Sequence, residues 1–199
     1  MSATNRGTIR EDSDNYKTPE WLSEAIIDVH FQNPPWLKSR PYRMLEPACG
    51  DGAIANILEK KVPSHIAHEL DCVDIRDTGY GVVRNFLEMP ADPTYDLVLT
   101  NPPYSLAKEY VDHGRKFLRK GGWLFLLLRC NFFGSQKRAA WWRENIPAEI
   151  HITPRRPSFT KQGTDATEYA WFGWCAESTQ KTLITILDTE FKRFKIPAH

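Results

Sequence analysis

The stretch "MLEPACGDGAIANIL", residues 44–58, contains the strongest indication of the fold. The segment 43–46, with Met44 and Leu45 at its centre, predicts a short strand, Gly50-Asp51-Gly52 predicts a tight turn, and residues 53–61 predict a helix. Glycines at such a turn let the backbone approach a ligand, and they leave the first N–H groups of the helix open to it. Strand, turn and helix therefore predict one unit of an α/β sheet with a ligand site at the turn.

The residues of this turn indicate which charge the ligand carries. The spacing departs from G-x-G-x-x-G because Ala55 stands at the last glycine position, and no Lys-Ser/Thr pair follows as in a phosphate-binding loop. The carboxylates of Glu46 and Asp51 would repel a pyrophosphate and would suit a cationic ligand or an amino group. A purely structural strand–helix turn is the alternative for this segment.

Strands and helices alternate along the rest of the chain. The predicted strands are "HELDCVDI" (68–75), "YDLVLT" (95–100), "WLFLLLR" (123–129), "EIHIT" (149–153) and "EYAWFGWC" (168–175). The predicted helices are "YKTPEWLSEAIIDVH" (16–30), "LAKEYVDHGRKFLRKGG" (106–122, closed by glycine) and "KRAAWWRENIP" (137–147), whereas the tail 181–195 suits either structure. This order predicts an α/β fold with a mostly parallel central sheet, helices on both faces and a late antiparallel hairpin at one edge.

Composition places the chain among ordinary globular proteins. It has 199 residues, of which 41% are hydrophobic and 26% charged, and no apolar run is long enough for a membrane span. Four scattered cysteines and a polar N-terminus without the apolar stretch of a signal peptide predict reduced thiols and a cytoplasmic protein. No cysteine or histidine spacing indicates a metal site. We expect residues 1–14 to be a flexible arm and 15–199 a single domain.

The net charge of +1 conceals an asymmetry between the two halves. Residues 1–100 carry 10 basic and 16 acidic side chains, whereas residues 101–199 carry 16 basic and 9 acidic ones. A basic second half can attract a polyanion such as nucleic acid, although solvated helix faces would give the same count.

Two further segments fall where a parallel sheet binds its ligands. Asp74 ends the strand "DCVDI", in the place where a dinucleotide fold has an acid for ribose hydroxyls, although a loop-capping aspartate is also common there. The strand in "DLVLTNPPYSLAKEY" (96–110) stops at Asn101-Pro102-Pro103-Tyr104. A proline alone would end the strand, so the amide and the aromatic ring on either side of the two prolines indicate a further role.

Together these segments resemble a known family. "LEPACGDGAI" (45–54), "VDI" (73–75) and "NPPY" (101–104), in this order, resemble the S-adenosylmethionine-dependent amino-methyltransferases, in particular the adenine-N6 DNA methyltransferases. "NYKTPEWL" (15–22) is similar to the cofactor segment that precedes the glycine turn in that group, and "RRPSFTKQGTDATEYAWFGW" (155–174) is most similar to small phage-type members. The resemblance implies a Rossmann-like methyltransferase fold, in the bacterial host cytoplasm if the protein is phage-encoded.

The resemblance implies roles for the matching residues. The cofactor S-adenosylmethionine would contact Tyr16, Lys17 and Thr18 at its methionine end, Glu46, Ala48 and Gly50 at the turn, Asp74 and Ile75 at its ribose and adenine, and Asn85, Phe86 and Asn101. The family often has an acidic residue before the phenylalanine of "RNFLE", where this chain has Asn85, so that residue fits a plain loop equally well. The catalytic residues would be Asn101, Pro102, Pro103 and Tyr104, with no metal.

Asn101 and the prolines suit an exocyclic aromatic amine, whose lone pair is delocalised into its ring. The Asn101 side-chain oxygen and the Pro102 carbonyl can accept its two hydrogens, and Tyr104 offers a face on which a base can stack. The base must be flipped out or single-stranded to reach them. For the nucleic acid, we expect contacts from loops 131–138 and 155–165, through Lys137, Arg138, Arg155, Arg156, Ser158, Phe159 and Lys161. Trp141 and Trp142 could help base flipping, but core or surface packing is the more common role of tryptophan.

The prediction from sequence is a DNA adenine-N6 methyltransferase whose specificity, narrow or relaxed, is set by short loops. RNA adenine and the side-chain amide of a protein glutamine are the alternative substrates. A nucleic-acid-binding module without activity is the non-enzymatic alternative. The sequence leaves the oligomeric state open.

Overall fold

The computed structural model describes residues 17–32, 40–159, 166–177 and 182–187. The described helices are α1 (Glu20–Gln32), α2 (Ala53–Lys61), α3 (Ala107–Gly114) and α4 (Ala139–Glu144). The strands are β1 (Tyr42–Glu46), β2 (His68–Asp74), β3 (Val82–Val83), β4 (Tyr95–Thr100), β5 (Leu118–Arg129), β6 (Glu149–Ile152), β7 (Tyr169–Cys175) and β8 (Leu183–Ile186). Short 3-10 turns include Phe86–Glu88, Tyr104–Leu106, Cys130–Phe133 and Gln136–Arg138. The expected N-terminal arm and residues 160–165 lie outside the described ranges.

Within the described ranges, the strands form one eight-stranded sheet in the order β3-β2-β1-β4-β5-β7-β6-β8. Neighbours from β3 to β5 are parallel, β7 runs antiparallel to both β5 and β6, and β8 is parallel to β6. The predicted α/β fold with a mostly parallel sheet and a late antiparallel hairpin is confirmed. The hairpin of β6 and β7 lies one strand in from the edge, because β8, which the sequence left undecided between strand and helix, pairs outside β6.

Helices cover both faces of the sheet, as predicted. On one face, Leu22 and Ile26 of α1 and Leu58 of α2 pack against buried side chains of β1 and β4. On the other face, Val111 of α3 joins a second apolar cluster with Phe117 and the opposite side chains of the sheet. All six residues of β4 are buried, which is typical of a central parallel strand.

The prediction of one long helix over 106–122 is wrong in its second half. Helix α3 ends at Gly114, and after a 3-10 turn β5 begins at Leu118. The pairing of β4 with β5 shifts its register between Tyr95 and Leu97, and Gly121 there has a φ of 75°. An added side-chain carbon at Gly122 would lie 2.7 Å from the Tyr95 carbonyl oxygen. The two glycines thus permit an irregular pairing inside a strand and do not close a helix.

The topology brings the sequence motifs to one edge of the sheet. Strands β2, β1 and β4 are neighbours and parallel, so Asp74, Glu46 and Thr100 end at the same edge. Asn101 follows Thr100 directly. None of the helices in the described part of the chain is long and apolar enough to cross a membrane.

Candidate active site

Glu46, the last residue of β1, is a buried acid at the centre of this edge. Its side chain is 1% exposed, and within the described residues its Oε2 atom has no hydrogen-bond partner. Burial raises its pKa well above the ordinary value, and the charges of Asp74 and Asp51 raise it further, against a lowering hydrogen bond from the Ala55 backbone. Such a carboxyl is suited to a ligand that brings positive charge or N–H donors.

The glycine turn has the backbone geometry that the sequence predicted. Gly50 and Gly52 have φ values of 51° and 82°, in the left-handed region that favours glycine. A side-chain carbon at Gly52 would lie 2.2 Å from the ring of Tyr80, so the turn is closed on that side by an aromatic residue. The Gly50 N–H donates to Asp74 Oδ2 over 2.8 Å, which joins the ends of β1 and β2.

Asp74 is held by Arg76, a contact that sequence reasoning missed. Asp74 Oδ1 accepts from the Arg76 N–H at 2.9 Å and from Arg76 Nε at 3.0 Å, and Oδ2 accepts from Arg76 Nη2 at 3.3 Å. Burial would raise the pKa of Asp74, but the hydrogen bonds from Arg76 and Gly50 outweigh it and lower that pKa. The sequence signal for this contact is the basic residue two positions after the acid.

The other predicted cofactor residues on this side differ in how accessible they are. Ile75 is 65% exposed beside Asp74, and Ala48 is half-buried in the glycine turn. Asn85 caps the turn Phe86–Glu88, since its Oδ1 accepts from the Leu87 N–H and its Nδ2 donates to Glu88. Phe86 is 2% exposed in the core. Asn85 and Phe86 therefore have packing roles in this structure, and their contact with a cofactor stays a prediction.

The N-terminal segment connects the glycine turn with Asn101. Lys17 forms an exposed ion pair with Asp51 at 2.8 Å, and the buried hydroxyl of Thr18 accepts from Asn101 Nδ2 at 3.1 Å. The structure thus brings together residues that are more than 80 positions apart in sequence. Tyr16 lies outside the described residues.

The Asn-Pro-Pro-Tyr segment leaves the sheet in an extended turn. Pro102 is buried, Pro103 has φ −55° and ψ 119°, and its carbonyl accepts from the Leu106 N–H at 2.9 Å. Tyr104 begins the 3-10 turn and is half-buried between the two apolar clusters. The two prolines therefore fix the backbone that presents Asn101 and Tyr104.

Arg129, at the carboxyl end of β5, lies on the ring of Tyr104. Its guanidinium carbon is 5.0 Å from the Tyr104 ring centre, and its Nε donates to the hydroxyl of Tyr169 at 3.0 Å. The Tyr169 ring is 5.8 Å from that of Tyr104 and 5.0 Å from that of Phe159. Sequence reasoning missed Arg129, although a lone basic residue at the end of the apolar strand "WLFLLLR" was the signal for it.

The late loop reaches this site through Phe159, whereas its Arg155 lies on α1. The guanidinium of Arg155 lies 4.5 Å from the ring centre of Trp21, at the start of α1, and Arg155 is exposed. Arg156 and Ser158 are also exposed. Lys161 and the rest of the predicted loop up to 165 lie outside the described residues.

Side chains of the second predicted loop, 131–138, mostly contact other parts of the protein. Arg138 donates from Nε and Nη2 to the Phe132 carbonyl and covers the Phe132 ring, whereas Lys137 is exposed. Trp141 donates to Asp112 of α3 at 2.7 Å. Trp142 packs on Phe132 and Phe133, the latter with ring centres 4.5 Å apart. These contacts favour the packing alternative for both tryptophans.

Metal ligands are not grouped at this edge or elsewhere in the described ranges. Among the described residues there is no cluster of three or more His, Cys, Asp or Glu side chains that could hold an ion.

Known proteins resemble the chain at the level of structure. No family model and no curated protein matches it. A candidate class I S-adenosylmethionine-dependent methyltransferase from Listeria monocytogenes matches with a TM-score of 0.67 and 15% identity, over 87% of this chain and 66% of that one. A type I restriction-modification methyltransferase subunit from Streptococcus thermophilus matches with a TM-score of 0.64 and 13% identity, over 88% and 48%. Geranyl diphosphate methyltransferase in complex with S-adenosylmethionine matches with a TM-score of 0.57 and 13% identity, over 79% and 85%.

These likenesses show that the chain has the Rossmann-like fold of S-adenosylmethionine-dependent methyltransferases. The chain spans about two thirds of the length of the Listeria protein and about half of the Streptococcus subunit.

Proposed function

We propose that the chain is an S-adenosylmethionine-dependent methyltransferase that modifies the exocyclic N6 amino group of adenine in DNA. The proposal depends mainly on one observation: the acidic ends of β1 and β2 meet the Asn-Pro-Pro-Tyr segment at one edge of the sheet. The hydrogen bond from Asn101 to Thr18 and the ion pair from Lys17 to Asp51 link the two parts.

The residues at the ends of β1 and β2 fit S-adenosylmethionine. The buried Glu46, with its unpartnered Oε2 among the described residues, favours a cationic ligand. Asp74 would hold the ribose hydroxyls, and the exposed Ile75 would cover the adenine ring. When bound, S-adenosylmethionine supplies a methyl group on a positively charged sulfur. Thr18 would lie along the methionine end.

Asn101 and Pro102 would prepare the target amine. The side-chain oxygen of Asn101 and the carbonyl of Pro102 would accept hydrogen bonds from its two hydrogens, so that the nitrogen becomes pyramidal and its lone pair is withdrawn from the ring and available to the methyl group. Because the prolines hold these acceptors in place before the reaction, they stabilise the developing positive charge without reorganisation. Tyr104 stacks on the base, a contact worth about 1–3 kcal/mol.

Nucleic acid is the substrate class that the second half of the chain favours. It carries 16 basic and 9 acidic residues, and the exposed Arg155, Arg156, Ser158 and Lys137 can reach phosphates. Phe159, packed on Tyr169 next to Tyr104, would support the flipped base. Arg138 would act only through the loop it stabilises. The likeness to a restriction-modification methyltransferase subunit supports DNA over RNA or a glutamine amide.

This function places the protein in the cytoplasm, with DNA recognition by the short loops of a single domain. A base inside a duplex cannot reach Tyr104, so the target adenine is flipped out or single-stranded.

Methyl transfer from labelled cofactor distinguishes the substrates. Duplex DNA, single-stranded DNA, RNA and a glutamine peptide are offered in parallel, and DNA is expected to receive most label at adenine N6. Label in RNA or peptide alone would replace this proposal with the corresponding alternative. Asn101→Ala is expected to lower kcat about 100-fold or more with cofactor affinity little changed, whereas Asn101→Asp, which keeps an acceptor oxygen, retains part of the activity. Equal loss of binding and turnover would mean that the segment is structural.

A further inference from the structure

Strand β8 forms one edge of the sheet in the described ranges, and its position there is fixed by packing. Among the described strands it pairs with β6 alone. The Thr185 hydroxyl lies 2.7 Å from Nδ1 of the buried His151 on β6, and Leu187, which follows the strand, is 3% exposed in the apolar core. The strand is therefore an integral part of the sheet, and its outer side is a defined surface.

The outer side of β8 is apolar and carries no charge. Leu183, Ile184 and Ile186 are 55%, 61% and 71% exposed, and residues 182–187 include no charged side chain. Natural proteins protect edge strands with lysine, proline or a β-bulge, which prevent pairing with another strand. None of these features lies within β8, whose pairing with β6 continues through all four of its residues. This edge is therefore open to extension by a further strand.

The backbone of β8 also directs hydrogen-bonding groups away from β6. The N–H groups of Leu183 and Leu187 donate to β6 carbonyls, each at 2.9 Å. Because neighbouring residues of a strand direct their backbone groups to opposite sides, the N–H and C=O groups of Ile184 and Ile186 point outward. Within the described ranges no strand lies on that side. Outward backbone groups beside exposed apolar side chains are the usual docking surface for an added strand.

A second copy of the same strand matches this surface when the two β8 strands run antiparallel around a twofold axis at Thr185. Ile184 of each copy then lies opposite Ile186 of the partner subunit, and each such pair exchanges two backbone hydrogen bonds. All the outward N–H and C=O groups of these two residues are paired in this register. The isoleucines meet on the face that Ile150 and Ile152 of β6 already make apolar, and such cross-strand pairs stabilise a sheet.

We propose that two copies of this chain associate through β8 and so join their sheets into one continuous sheet around a twofold axis. A peptide with charged side chains would find no opposite charge on β8, whereas a second copy brings no like charges together and supplies matching backbone groups and isoleucines. A strand of four residues is at the lower end of interface sizes, so the association depends on concentration in the micromolar range.

This pairing keeps the two candidate active sites apart. Strand β8 is parallel to β6, and β6 and β5 are both antiparallel to β7, so β8 runs in the same direction as β4 and β5. Antiparallel β8 strands therefore turn the two sheet edges that carry Asn101 in opposite directions. Each copy keeps its own complete site, and the inference does not depend on the proposed function.

Sedimentation equilibrium of the full-length chain, from about 1 to about 100 µM, measures the association. The average mass of the unaltered protein is expected to rise with concentration from that of one chain towards that of two. Ile186→Lys should weaken the association at least about tenfold, because the twofold axis places the lysine in the contact twice. Val82→Lys is the matched control, since Val82 is 59% exposed on β3 at the opposite edge of the described sheet, and it should associate like the unaltered protein.

Cysteine cross-linking tests the register and does not depend on how well a lysine variant folds. Thr185→Cys would bring two thiols together at the axis, in a pair of residues whose Cα atoms lie about 4.5 Å apart, within reach of a disulfide. With copper phenanthroline and oxygen as the oxidant, the two thiols lose two protons and two electrons, and a covalent dimer is expected. Leu183→Cys should not cross-link, because residue 183 lies about 13 Å along the strands from its counterpart. The unaltered protein, with its four cysteines, gives the background.

Three results would overturn the inference. The first is the mass of a single chain over the whole concentration range. The second is an association that Ile186→Lys leaves unchanged or that Val82→Lys removes, since the contact would then lie elsewhere. The third is cross-linking through Leu183→Cys and not through Thr185→Cys, which would exclude the twofold register.

Discussion

Arg76 and Gly50 together fill the hydrogen-bonding capacity of the Asp74 carboxylate. Its two oxygens accept from Gly50 N–H, from Arg76 N–H and from two nitrogens of the Arg76 guanidinium. A carboxylate offers about four lone-pair positions. Ribose hydroxyls can therefore donate to Asp74 only if the half-buried Arg76 side chain gives up its two contacts.

The Arg76 side chain competes with the ribose hydroxyls for Asp74, so its removal should strengthen cofactor binding. We expect Arg76→Met to lower the Kd of S-adenosylhomocysteine about twofold to fivefold, since a partly exposed ion pair is worth at most about 1 kcal/mol. Added salt should narrow the difference, because it screens the ion pair in the unaltered protein. Titration calorimetry at low and high salt measures both effects. Weaker binding by the variant would mean that Arg76 positions Asp74 for the ribose.

Glu46 should make cofactor binding release a proton. Burial raises its pKa well above the ordinary value, so the free protein keeps a proton there to higher pH than an exposed carboxyl does, and a cationic ligand favours the carboxylate instead. The affinity for S-adenosylmethionine should therefore rise with pH above the ordinary carboxyl range, and calorimetry in two buffers of different ionisation heat should detect proton release there. Glu46→Gln should bind more weakly and release no proton. A pH-independent affinity in the unaltered protein would show that Glu46 does not sense the ligand.

The raised pKa of Glu46 should also change how folding stability depends on pH. A carboxyl whose pKa is raised in the folded state contributes less to stability as pH rises above its unfolded value, near 4.5. Glu46→Gln should therefore gain stability relative to the unaltered protein as pH rises from 4.5 to 7, as measured by urea unfolding.

The close contact of Gly52 with Tyr80 predicts a larger cost for alanine there than at Gly79. Both glycines have positive φ, 82° and 75°, but a side-chain carbon at Gly79 meets nothing within 4 Å, whereas at Gly52 it would lie 2.2 Å from the Tyr80 ring. Gly79→Ala should cost about 1 kcal/mol from its backbone alone. Gly52→Ala should cost more than this. In a protein that already carries Tyr80→Ala, Gly52→Ala should cost less than it does in the unaltered protein. Urea unfolding of these variants provides the comparison, and equal costs at the two glycines would contradict it.

The elements that could be predicted from sequence are those with local signals. The unit from β1 through the glycine turn to α2 was predicted at nearly its observed bounds, because apolar periodicity, glycine and helix start coincide within 20 residues. The neighbourhood of Glu46, Asp74 and Asn101 followed from strand order, since parallel strands end at one edge. The end of α3 was misjudged because Gly121 and Gly122 are ordinary helix-stop residues, and only their pairing opposite Tyr95 turns them into a strand irregularity.

Side-chain partners across distant elements could not be predicted in this way. The contact of Arg129 with Tyr104 and Tyr169 depends on β7 inserting between β5 and β6, which no local pattern specifies. The burial of Phe86 likewise depends on Tyr110 and Phe117, more than 20 positions away. Local sequence thus indicated which residues meet at this edge of the sheet, and tertiary packing decided which of their side chains remain accessible.

His30 should make the fold sensitive to acid. It is 7% exposed on α1, its Nε2 is 2.7 Å from the Tyr42 hydroxyl, and burial, with a smaller contribution from the charge of His151, lowers its pKa to about 3. The unfolded chain, with a histidine pKa near 6.5, binds a proton that the folded chain excludes, so stability falls as pH drops from about 6.5 towards 3. Between pH 7 and pH 5, protonation of this one group should lower the free energy of unfolding by about 2 kcal/mol.

The measurement is the free energy of unfolding in urea at pH 7 and pH 5 for three proteins. His30→Gln, which can still hydrogen-bond Tyr42, should lose about 2 kcal/mol less than the unaltered protein over this interval, because glutamine does not titrate. His65→Gln, at an exposed position, is the matched control and should lose as much as the unaltered protein. If His30→Gln and His65→Gln behave alike, His30 is reached by protons in the folded state, and the packing of α1 against β1 is looser than its buried contacts indicate.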